Sequence, residues 1–471
     1  MKSKCLKTVA IALSWAVVMV GLSAFAQNAP TPERVPIGHP VPYWMQPIWM
    51  PSGPLPKAEP QQGFNPLLTL QVGQSYEGVD YNGANCGCLP PDTNAAVGNN
   101  FVAEAVNVEF RVWDKTTGEV LLDEPLNMLF GAPSGGDPYV VYDDLADRWY
   151  VTAFDSTGAG LFLAVSSDGN PLNGFATYDL TNVGGFPDYA KTGYNYDAIV
   201  VSYNDFGSLG GYAAIVAIDK AAILSGTLVT YNSVPRAQFR AIPPAQMHGS
   251  MPGDPMWFVS TDGTDQGGNS IRVTKMTNVL SNYPTFTYWR LPVKQYRQAT
   301  TADQPGRPGS VTVYPNTTTT QVQYRNGHLV TGMASAVAKD GFVYPKLLYY
   351  RVKVMNGKAS LLKQGIFDPG RGAAALMVSV DEDRNQHLGM TWIESSHREY
   401  LSMWVGTTTK KARVAVGPGG GFFFYSSRLG DYSSTVLDPA DGLTFWSANE
   451  HIGNDGASDI WRTHIASFTV Q

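Results

Sequence analysis

Five aspartates that precede predicted β-strands carry the most suggestive chemistry in this sequence. They are Asp92 in PPDTN, Asp137 in GGDPY, Asp188 in FPDYA, Asp254 in PGDPM and Asp431 in LGDYS. If the strands after them line one channel, the five carboxylates surround a common mouth. Crowded carboxylates repel one another, and a hard cation such as Ca²⁺, held by oxygen ligands, would relieve that repulsion. The alternative, which turn chemistry favours, is that each aspartate forms a local Asx-turn at the start of its strand.

Acid–base chemistry is a second possibility at the same mouth. A glycoside hydrolase needs two carboxyl groups across a cleft, and a lyase needs a base beside a cation. Glu450 and His451 end a predicted strand, where loop function is common, and are therefore candidate ligand-binding residues. Tyr189, Tyr194 and Phe206 are predicted loop aromatics that could stack on a sugar ring. No spacing singles out an acid–base pair, so the sequence leaves open whether the protein is an enzyme.

Cys86 and Cys88, in NCGCLPP, are the two cysteines that remain after cleavage of a predicted signal peptide that contains Cys5. An exported compartment favours a disulfide between them. The alternative is a metal or redox pair, but two thiolates without a nearby histidine do not complete a zinc site. A local Cys86–Cys88 disulfide is therefore the prediction.

The N-terminal segments predict export. A lysine-containing start, the apolar run Val9–Leu22 and a small-residue cleavage site at 24–26 indicate a secretory signal peptide over residues 1–26. Residues 27–63 are Pro-rich and predict an extended leader, which leaves 64–471 as the folded domain. No later apolar run reaches the ~18 residues that a membrane span needs. We expect a secreted protein, extracellular or periplasmic, and a monomer.

The composition favours a large all-β protein. The 471 residues include 48 Gly, 24 Tyr, 20 Phe and 11 Trp, whereas only 15% are charged. Many turns, many aromatics and few charges suit neither a disordered chain nor one of long helices. The 33 basic and 39 acidic residues give a net charge of −6, which argues against a nucleic-acid partner.

Seven strand-like runs recur along the chain, on average about 57 residues apart. They are Phe101–Asn107, Trp149–Asp155, Ala198–Asn204, Met256–Asp262, His328–Ala334, His387–Ile393 and Leu443–Asn449. Further strand-like runs follow each one, and four strands in units of roughly 50 residues are the signature of propeller blades. The sequence thus predicts a seven-bladed β-propeller of four-stranded antiparallel blades. Two β-sandwich domains are the alternative, but no linker-like break divides residues 85–471.

The two ends of the chain are expected to close this ring. The last unit offers only three strands, and the spare apolar run Pro66–Val72 precedes the first unit. If that run supplies the outer strand of the last blade, N- and C-terminal strands close the ring together. Such closure would remove two open sheet edges at once.

Three segments resemble a known group of proteins. They are PPDTNAAVG with AEAVN within 90–107, GDPYVVYDDLADRWYVTAF at 136–154, and RLGDYSSTVLDPADGLTFWSANE with WRTHIASF within 428–468. Together they resemble uncharacterised secreted bacterial β-propeller proteins, a group loosely similar to sialidase-type propellers. The resemblance covers roughly 85–471 and implies the fold and export, but no activity. The sialidase catalytic set does not transfer, because FRAIP at 239–243 and SSDGN at 166–170 both depart from the sialidase motifs.

These observations lead to three functional hypotheses. The first is recognition of an extracellular glycan or protein at the channel mouth, with a structural or ligand-linking Ca²⁺. The second is a carbohydrate-active glycoside hydrolase or polysaccharide lyase that uses carboxylates at the same mouth. The third is a structural component of the cell envelope.

Overall fold

The computed structural model describes residues 68–158, 160–180, 185–207, 211–235, 242–262, 267–299, 301–313, 318–339, 342–355, 357–370, 372–415, 428–454 and 459–471. All of them belong to one compact unit, Ile48–Gln471. The predicted signal peptide, 1–26, and leader, 27–63, lie outside the described residues. As predicted, the described chain is all-β, with a few short helices. None of these helices has the length and apolar character that a membrane span needs.

The first elements form two antiparallel meanders after an N-terminal strand. They are β1 (Leu70–Asp80), α1 (Tyr81–Ala84), β2 (Asn94–Val97), β3 (Phe101–Val106), β4 (Glu109–Asp114), β5 (Val120–Pro125), α2 (Leu126–Phe130), β6 (Ser134–Asp143), β7 (Arg148–Asp155), β8 (Leu161–Ser166), a 3₁₀ turn (Pro171–Asn173) and β9 (Phe175–Asp179). Strands β2 to β5 pair in chain order, and so do β6 to β9. Neighbours in sequence are therefore neighbours in each sheet.

The middle elements continue this pattern with one irregularity. They are β10 (Pro187–Tyr194), β11 (Ala198–Asp205), β12 (Tyr212–Asp219), α3 (Lys220–Leu224), β13 (Thr230–Ser233), β14 (Ala245–Met247), β15 (Met256–Thr261), β16 (Gly267–Thr277), β17 (Thr285–Arg297), β18 (Thr301–Gln304), β19 (Arg307–Thr312), β20 (Val322–Arg325), β21 (His328–Lys339), β22 (Phe342–Met355) and β23 (Lys358–Phe367). The meanders β10 to β13 and β20 to β23 are joined through β14, which runs parallel to both β10 and β20. Strands β15 to β17 form their own sheet, and β18 pairs with β19.

The last elements bring the two ends of the described chain together. They are β24 (Ala374–Glu382), β25 (Leu388–Ser396), β26 (Glu399–Gly406), β27 (Lys411–Ala415), β28 (Ser434–Leu437), β29 (Thr444–Asn454) and β30 (Asp459–Val470). Strands β24 to β27 form another meander, and the final sheet has the order β28, β29, β30, β1. The N-terminal strand is thus the outer strand of the last sheet. It covers Leu70–Asp80 instead of the predicted Pro66–Val72, of which residues 66 and 67 lie outside the described part of the chain.

Strand β6 shows how the sheets pack on one another. Val140 and Tyr142 lie in a core cluster with Phe110 of the preceding sheet. Tyr139 and Val141 lie in another cluster with residues of the following sheet. Successive side chains of a strand point to opposite faces, so this strand is buried on both sides. That double burial explains why its sequence, YVVY, is apolar throughout.

The same face-to-face packing joins the last sheet to the first. Val102 and Trp113 of the first meander share a core cluster with Trp446 and Ile465 of the last sheet. The other consecutive sheets share clusters of the same kind.

Candidate functional site

A repeated bulge at the start of the first strand of a meander positions the candidate site. In β6 the pairing with β7 is interrupted between Gly136 and Tyr139, and Asp137 adopts a φ of 50° there. In β10 the interruption falls between Asp188 and Lys191. Tyr189 then takes a φ of 57°. Left-handed backbone of this kind is uncommon outside glycine, so the surrounding structure must hold it in place.

Four carboxyl groups lie near one another at this end of the sheets, here called the acidic cluster: Asp92, Asp137, Asp431 and Glu450. The Asp431 N–H donates to Asp92 Oδ1 over 2.8 Å. All four residues are buried. Gly430 separates two of them, since a Cβ atom there would lie 2.7 Å from Glu450 Oε1 and 3.3 Å from Asp92 Oδ1. Three of the five aspartates predicted from sequence are therefore neighbours.

Asn107, at the end of the run AEAVN, links two members of the acidic cluster. Its Nδ2 donates to Asp92 Oδ2 over 2.6 Å, and its Oδ1 accepts from the Asp137 N–H over 2.9 Å. A Cβ atom at Gly136 would lie 2.9 Å from that Oδ1, so the glycine in GGD makes room for this contact. The Tyr189 N–H in turn donates to Asp137 Oδ2 over 2.7 Å. One chain of hydrogen bonds thus runs across three sheets.

Lys191 places a positive charge among these acids. Its Nζ lies 3.5 Å from the ring centroid of Tyr432, 4.0 Å from that of Tyr189 and 5.3 Å from that of Tyr139. Ammonium groups are attracted to the faces of aromatic rings at such distances. Arg428 supplies a second cation through its ion pair with Asp431. The cluster is therefore partly neutralised from within the chain.

Burial shifts the pKa of the ionisable groups toward their neutral forms. The pKa of Asp92 is raised to about 7, first by burial and then by repulsion from Asp431. Burial also raises the pKa of Glu450 and of Asp137 well above their usual range, with the neighbouring carboxylates adding to the effect. The pKa of Lys191 is lowered to about 7 by burial, although the nearby carboxylates oppose that shift. Asp92 and Lys191 thus both have a pKa near neutrality in the folded protein.

Several buried polar atoms of this region have no hydrogen-bond partner among the described residues. They are both carboxyl oxygens of Glu450, Oδ1 of Asp431 and the hydroxyl of Tyr432. Leaving such buried atoms unpartnered is costly, so they call for water or a ligand with hydroxyl or cationic groups.

Two other predicted residues do not join the acidic cluster. Asp188 lies one residue before the bulge position that Tyr189 occupies, and its charge raises the pKa of Asp137. Asp254 lies at the opposite end of β10. Asn195 directly follows that strand, and its Nδ2 donates to the Asp254 carbonyl over 2.9 Å. The Asp254 side chain instead accepts from the Met251 N–H in a local turn. Local turn chemistry therefore accounts for Asp254.

The predicted aromatics also separate. Tyr194 is buried at the far end of β10, and its hydroxyl donates to Asp144 Oδ1 over 2.6 Å. Tyr189 is buried beside Lys191. Phe206 is 40% exposed at the acidic end of the same sheet. Of the three, only Phe206 presents its ring to solvent.

Phe206 belongs to an aromatic patch that also includes Phe154 and Phe186. The Phe206 N–H donates to the Phe186 carbonyl over 3.1 Å, and Phe186 is 38% exposed. The ring centroids of Phe154 and Phe186 lie 5.3 Å apart. Phe154 pairs with Gly136, which directly precedes Asp137. The aromatic patch is therefore continuous with the acidic cluster.

Glu450 and His451 are adjacent on β29 and point to opposite faces of the sheet. Glu450 joins the acidic cluster, whereas His451 Nε2 lies 3.2 Å from Glu77 Oε2. Among the described residues, Glu77, His451 and His464 are the one group of three whose metal-ligating atoms lie within 4.8 Å of one another. The acidic cluster does not gather three such atoms that closely.

Cys86 and Cys88 are joined by a disulfide in the loop between α1 and β2. The indole N–H of Trp461 donates to the Cys88 carbonyl over 2.7 Å. Trp461 lies on β30, so this contact fastens the loop to the last sheet. The disulfide therefore lies in a loop that is held against the last sheet.

Sequence reasoning missed four residues of the site: Asn107, Lys191, Arg428 and Tyr432. Two signals were available. Lys191 is a lysine within an otherwise uncharged run, YAKTGY, and an Asp-Tyr step occurs both at 188–189 and at 431–432. The second tyrosine of this repeated step, Tyr432, lies against Lys191.

Comparisons with known proteins leave the family open. No protein-family model matches the chain, and no curated protein does. Among solved structures, the N-terminal domain of Nup159 is similar over 88% of this chain and 98% of its own, with 12% identity and a TM-score of 0.41. The extracellular domains 1–2 of Drosophila semaphorin 1b match over 85% and 87%, with 6% identity and a TM-score of 0.40. A protein of unknown function from Dyadobacter fermentans matches over 85% and 99%, with 9% identity and a TM-score of 0.38.

Proposed function

We propose that this protein is an exported seven-bladed β-propeller that binds an extracellular glycan at the end of the ring where the acidic cluster lies. The blades would be β2–β5, β6–β9, β10–β13, β14–β17, β20–β23, β24–β27 and β28–β30 with β1. The isolated bridge between Pro244 and Phe258 supports grouping β14 with β15. The shared core between Val102 and Trp446 supports closure of the ring, because it packs the last blade on the first.

The observation that carries the glycan proposal is the continuity of the aromatic patch with the acidic cluster. Exposed rings such as Phe186 and Phe206 offer flat apolar faces to the C–H groups of a sugar. Asp431 Oδ1, which is buried and has no hydrogen-bond partner among the described residues, is a candidate acceptor for a sugar hydroxyl. Ligand sites commonly combine aromatic walls with a few well-placed polar groups. Exposed apolar patches beside such groups are typical of binding surfaces.

A glycan array of plant and microbial polysaccharides tests this function. We expect saturable binding, reduced about tenfold by Phe186→Ala or Phe206→Ala, since each removes one stacking ring. Tyr283→Ala is the matched control, because Tyr283 is 86% exposed on the turn between β16 and β17. Binding that is absent, or equally weakened by the control, would contradict the proposal. If the ligand is a protein instead of a glycan, Phe186→Ala and Phe206→Ala should weaken its binding too, and Tyr283→Ala should not.

A second candidate function is supported by a separate observation. Asp92 and Lys191 both have a pKa of about 7 and face the same cluster. A proton donor and a proton acceptor matched in this way suit a glycoside hydrolase or polysaccharide lyase. A reducing-end release assay on the polysaccharides that bind distinguishes the two functions. Activity that disappears in Asp92→Asn while binding persists would establish the enzyme, whereas silence in both assays would favour a structural envelope component.

The proposal includes a Ca²⁺ ion bound at the acidic cluster. Three carboxylates, those of Asp92, Asp137 and Asp431, lie close together, and oxygen ligands suit Ca²⁺. Lys191 and Arg428 already neutralise part of the negative charge of the acidic cluster. A bound Ca²⁺ would therefore act together with these two side chains. A rise in melting temperature with Ca²⁺ that Asp137→Asn removes would support the ion, and an unchanged melting temperature on chelation would count against it.

A further inference from the structure

Three strands of the last sheet bring Glu77, His451 and His464 to one face. Glu77 on β1 pairs directly with His464 on β30, and His464 pairs with Asn449 on β29. His451 lies two residues beyond Asn449 and so shares its face. His451 Nε2 lies 3.2 Å from Glu77 Oε2, and His464 Nδ1 lies 3.4 Å from Glu77 Oε1. Two imidazole nitrogens thus converge on one carboxylate.

The second nitrogen of each imidazole is already engaged. His451 Nδ1 lies 3.0 Å from the Ile452 carbonyl, which can only accept, so this nitrogen carries the proton. In the neutral ring, Nε2 then directs its lone pair toward Glu77. His464 Nε2 lies 2.8 Å from Ser75 Oγ, which fixes that ring from its far side. Metal-binding histidines show this arrangement, in which an outer partner sets the tautomer and the other nitrogen binds the ion.

The group is enclosed on one side and open on the other. The side chains of His451 and His464 are buried, whereas that of Glu77 is 58% exposed. An ion could therefore enter from solvent and keep a water molecule as a further ligand.

We propose that Glu77, His451 and His464 bind one divalent transition-metal ion, of which Zn²⁺ is the best match. Two imidazoles and one carboxylate with an open fourth position are a known zinc ligand set. Imidazole ligands favour Zn²⁺, Ni²⁺ or Cu²⁺ over Ca²⁺ and Mg²⁺. Because its ligands come from β1, β29 and β30, the ion would fasten the N-terminal strand to the last sheet. The inference does not depend on the glycan proposal.

Metal titration of the full-length exported protein tests this site. After treatment with a chelator, we expect one Zn²⁺ per chain by equilibrium dialysis with elemental analysis. The melting temperature should rise with Zn²⁺ but not with Ca²⁺, since a ligand that binds only the folded state stabilises it. Glu77→Gln and His464→Ala should remove saturable binding, and Ser75→Ala should weaken it about 10-fold or more. His397→Ala, at an exposed histidine elsewhere, should leave it unchanged.

Two binding outcomes, and a third from thermal melting, would overturn the proposal. One is the absence of saturable Zn²⁺ binding by the wild-type protein near neutral pH. The other is binding that survives in both Glu77→Gln and His464→Ala. Glu77→Gln keeps the shape of an exposed side chain on β1, so circular dichroism should show an unchanged fold. If Glu77→Gln lowers the melting temperature equally with and without Zn²⁺, the group is an ion-pair network alone.

Discussion

The ammonium group of Lys191 lies 3.5 Å from the ring centroid of Tyr432, near the buried carboxylates of Asp92, Asp137 and Asp431. Tyr432 directly follows Asp431, so the repeated Asp-Tyr step supplies both a carboxylate and an aromatic face. Lys191 comes from a different sheet and completes the arrangement. A buried cation held in this way depends on its neighbours for its protonation state, which makes its effect on stability dependent on pH.

Lys191→Met should alter the pH dependence of stability above neutrality. In the folded protein the pKa of Lys191 is about 7, below its ordinary 10.5. Between these values the unfolded chain binds more protons, so the free energy of unfolding gains a contribution that rises with pH. The variant should lack this rise in urea unfolding measured from pH 7 to pH 9.5. Lys358→Met, at an exposed lysine, should keep it, and identical slopes in wild type and Lys191→Met would refute the argument.

Asp92→Asn should remove a pH dependence of the opposite sign. The pKa of Asp92 is raised from 3.8 to about 7, so between these values the folded state binds more protons than the unfolded one. Stability from this group is therefore present at acid pH and is lost as the pH rises toward 7. Urea unfolding between pH 4.5 and pH 7 should show a flatter profile for the variant. Asp179→Asn, at an exposed aspartate, is the control and should follow the wild-type curve.

Asn107→Ala should destabilise the fold more than its size suggests. The substitution leaves the Asp137 N–H and Asp92 Oδ2 without the partner that Asn107 supplies to each. A buried polar group that loses its hydrogen bond costs about 1–3 kcal/mol, so we expect a loss of that order in the free energy of unfolding. Asn173→Ala removes an exposed hydrogen bond instead and should cost no more than about 0.5 kcal/mol. A loss for Asn107→Ala as small as this control's would contradict the bridging role.

A chain that begins at Tyr81, and so lacks β1, should be less stable and prone to associate. The truncation removes the outer strand of the last sheet, including the fully buried Val79. It also exposes the edge of β30, and open edges pair with other chains. We expect the melting temperature to fall by roughly 5 °C or more, with association visible in light scattering. A chain that begins at Leu68 keeps β1 and is the control. Equal stability of the two truncations would argue against a closed ring.

Much of the fold could be predicted from sequence because it is written in local patterns. Apolar runs such as Trp149–Asp155 recur with turns between them, and repeated patterns of this kind leave few alternatives to stacked meanders. The acidic residues Asp92, Asp137 and Asp431 were also recognisable, because each shortly precedes an apolar run in the sequence. The missing outer strand of the last unit pointed to a segment near the N-terminus.

Other features depended on contacts that sequence spacing cannot specify. A bulge shifts the register by one residue, so Tyr189, and not Asp188, occupies the position that corresponds to Asp137. Asp254 resembles the other aspartates in its local sequence but lies at the opposite end of the sheet.

The chain by itself determined the strands, the turns and the residue types that recur at their starts, since these follow from side-chain alternation and turn chemistry. Only the tertiary structure decided which of those residues meet. Glu450 and His451 are neighbours in sequence, yet alternation in β29 sends one to the acidic cluster and the other to Glu77. Lys191 and Tyr432 are far apart in sequence, yet packing between sheets places them in contact. Packing between residues far apart in sequence determines which of them meet, and local sequence patterns do not specify that packing.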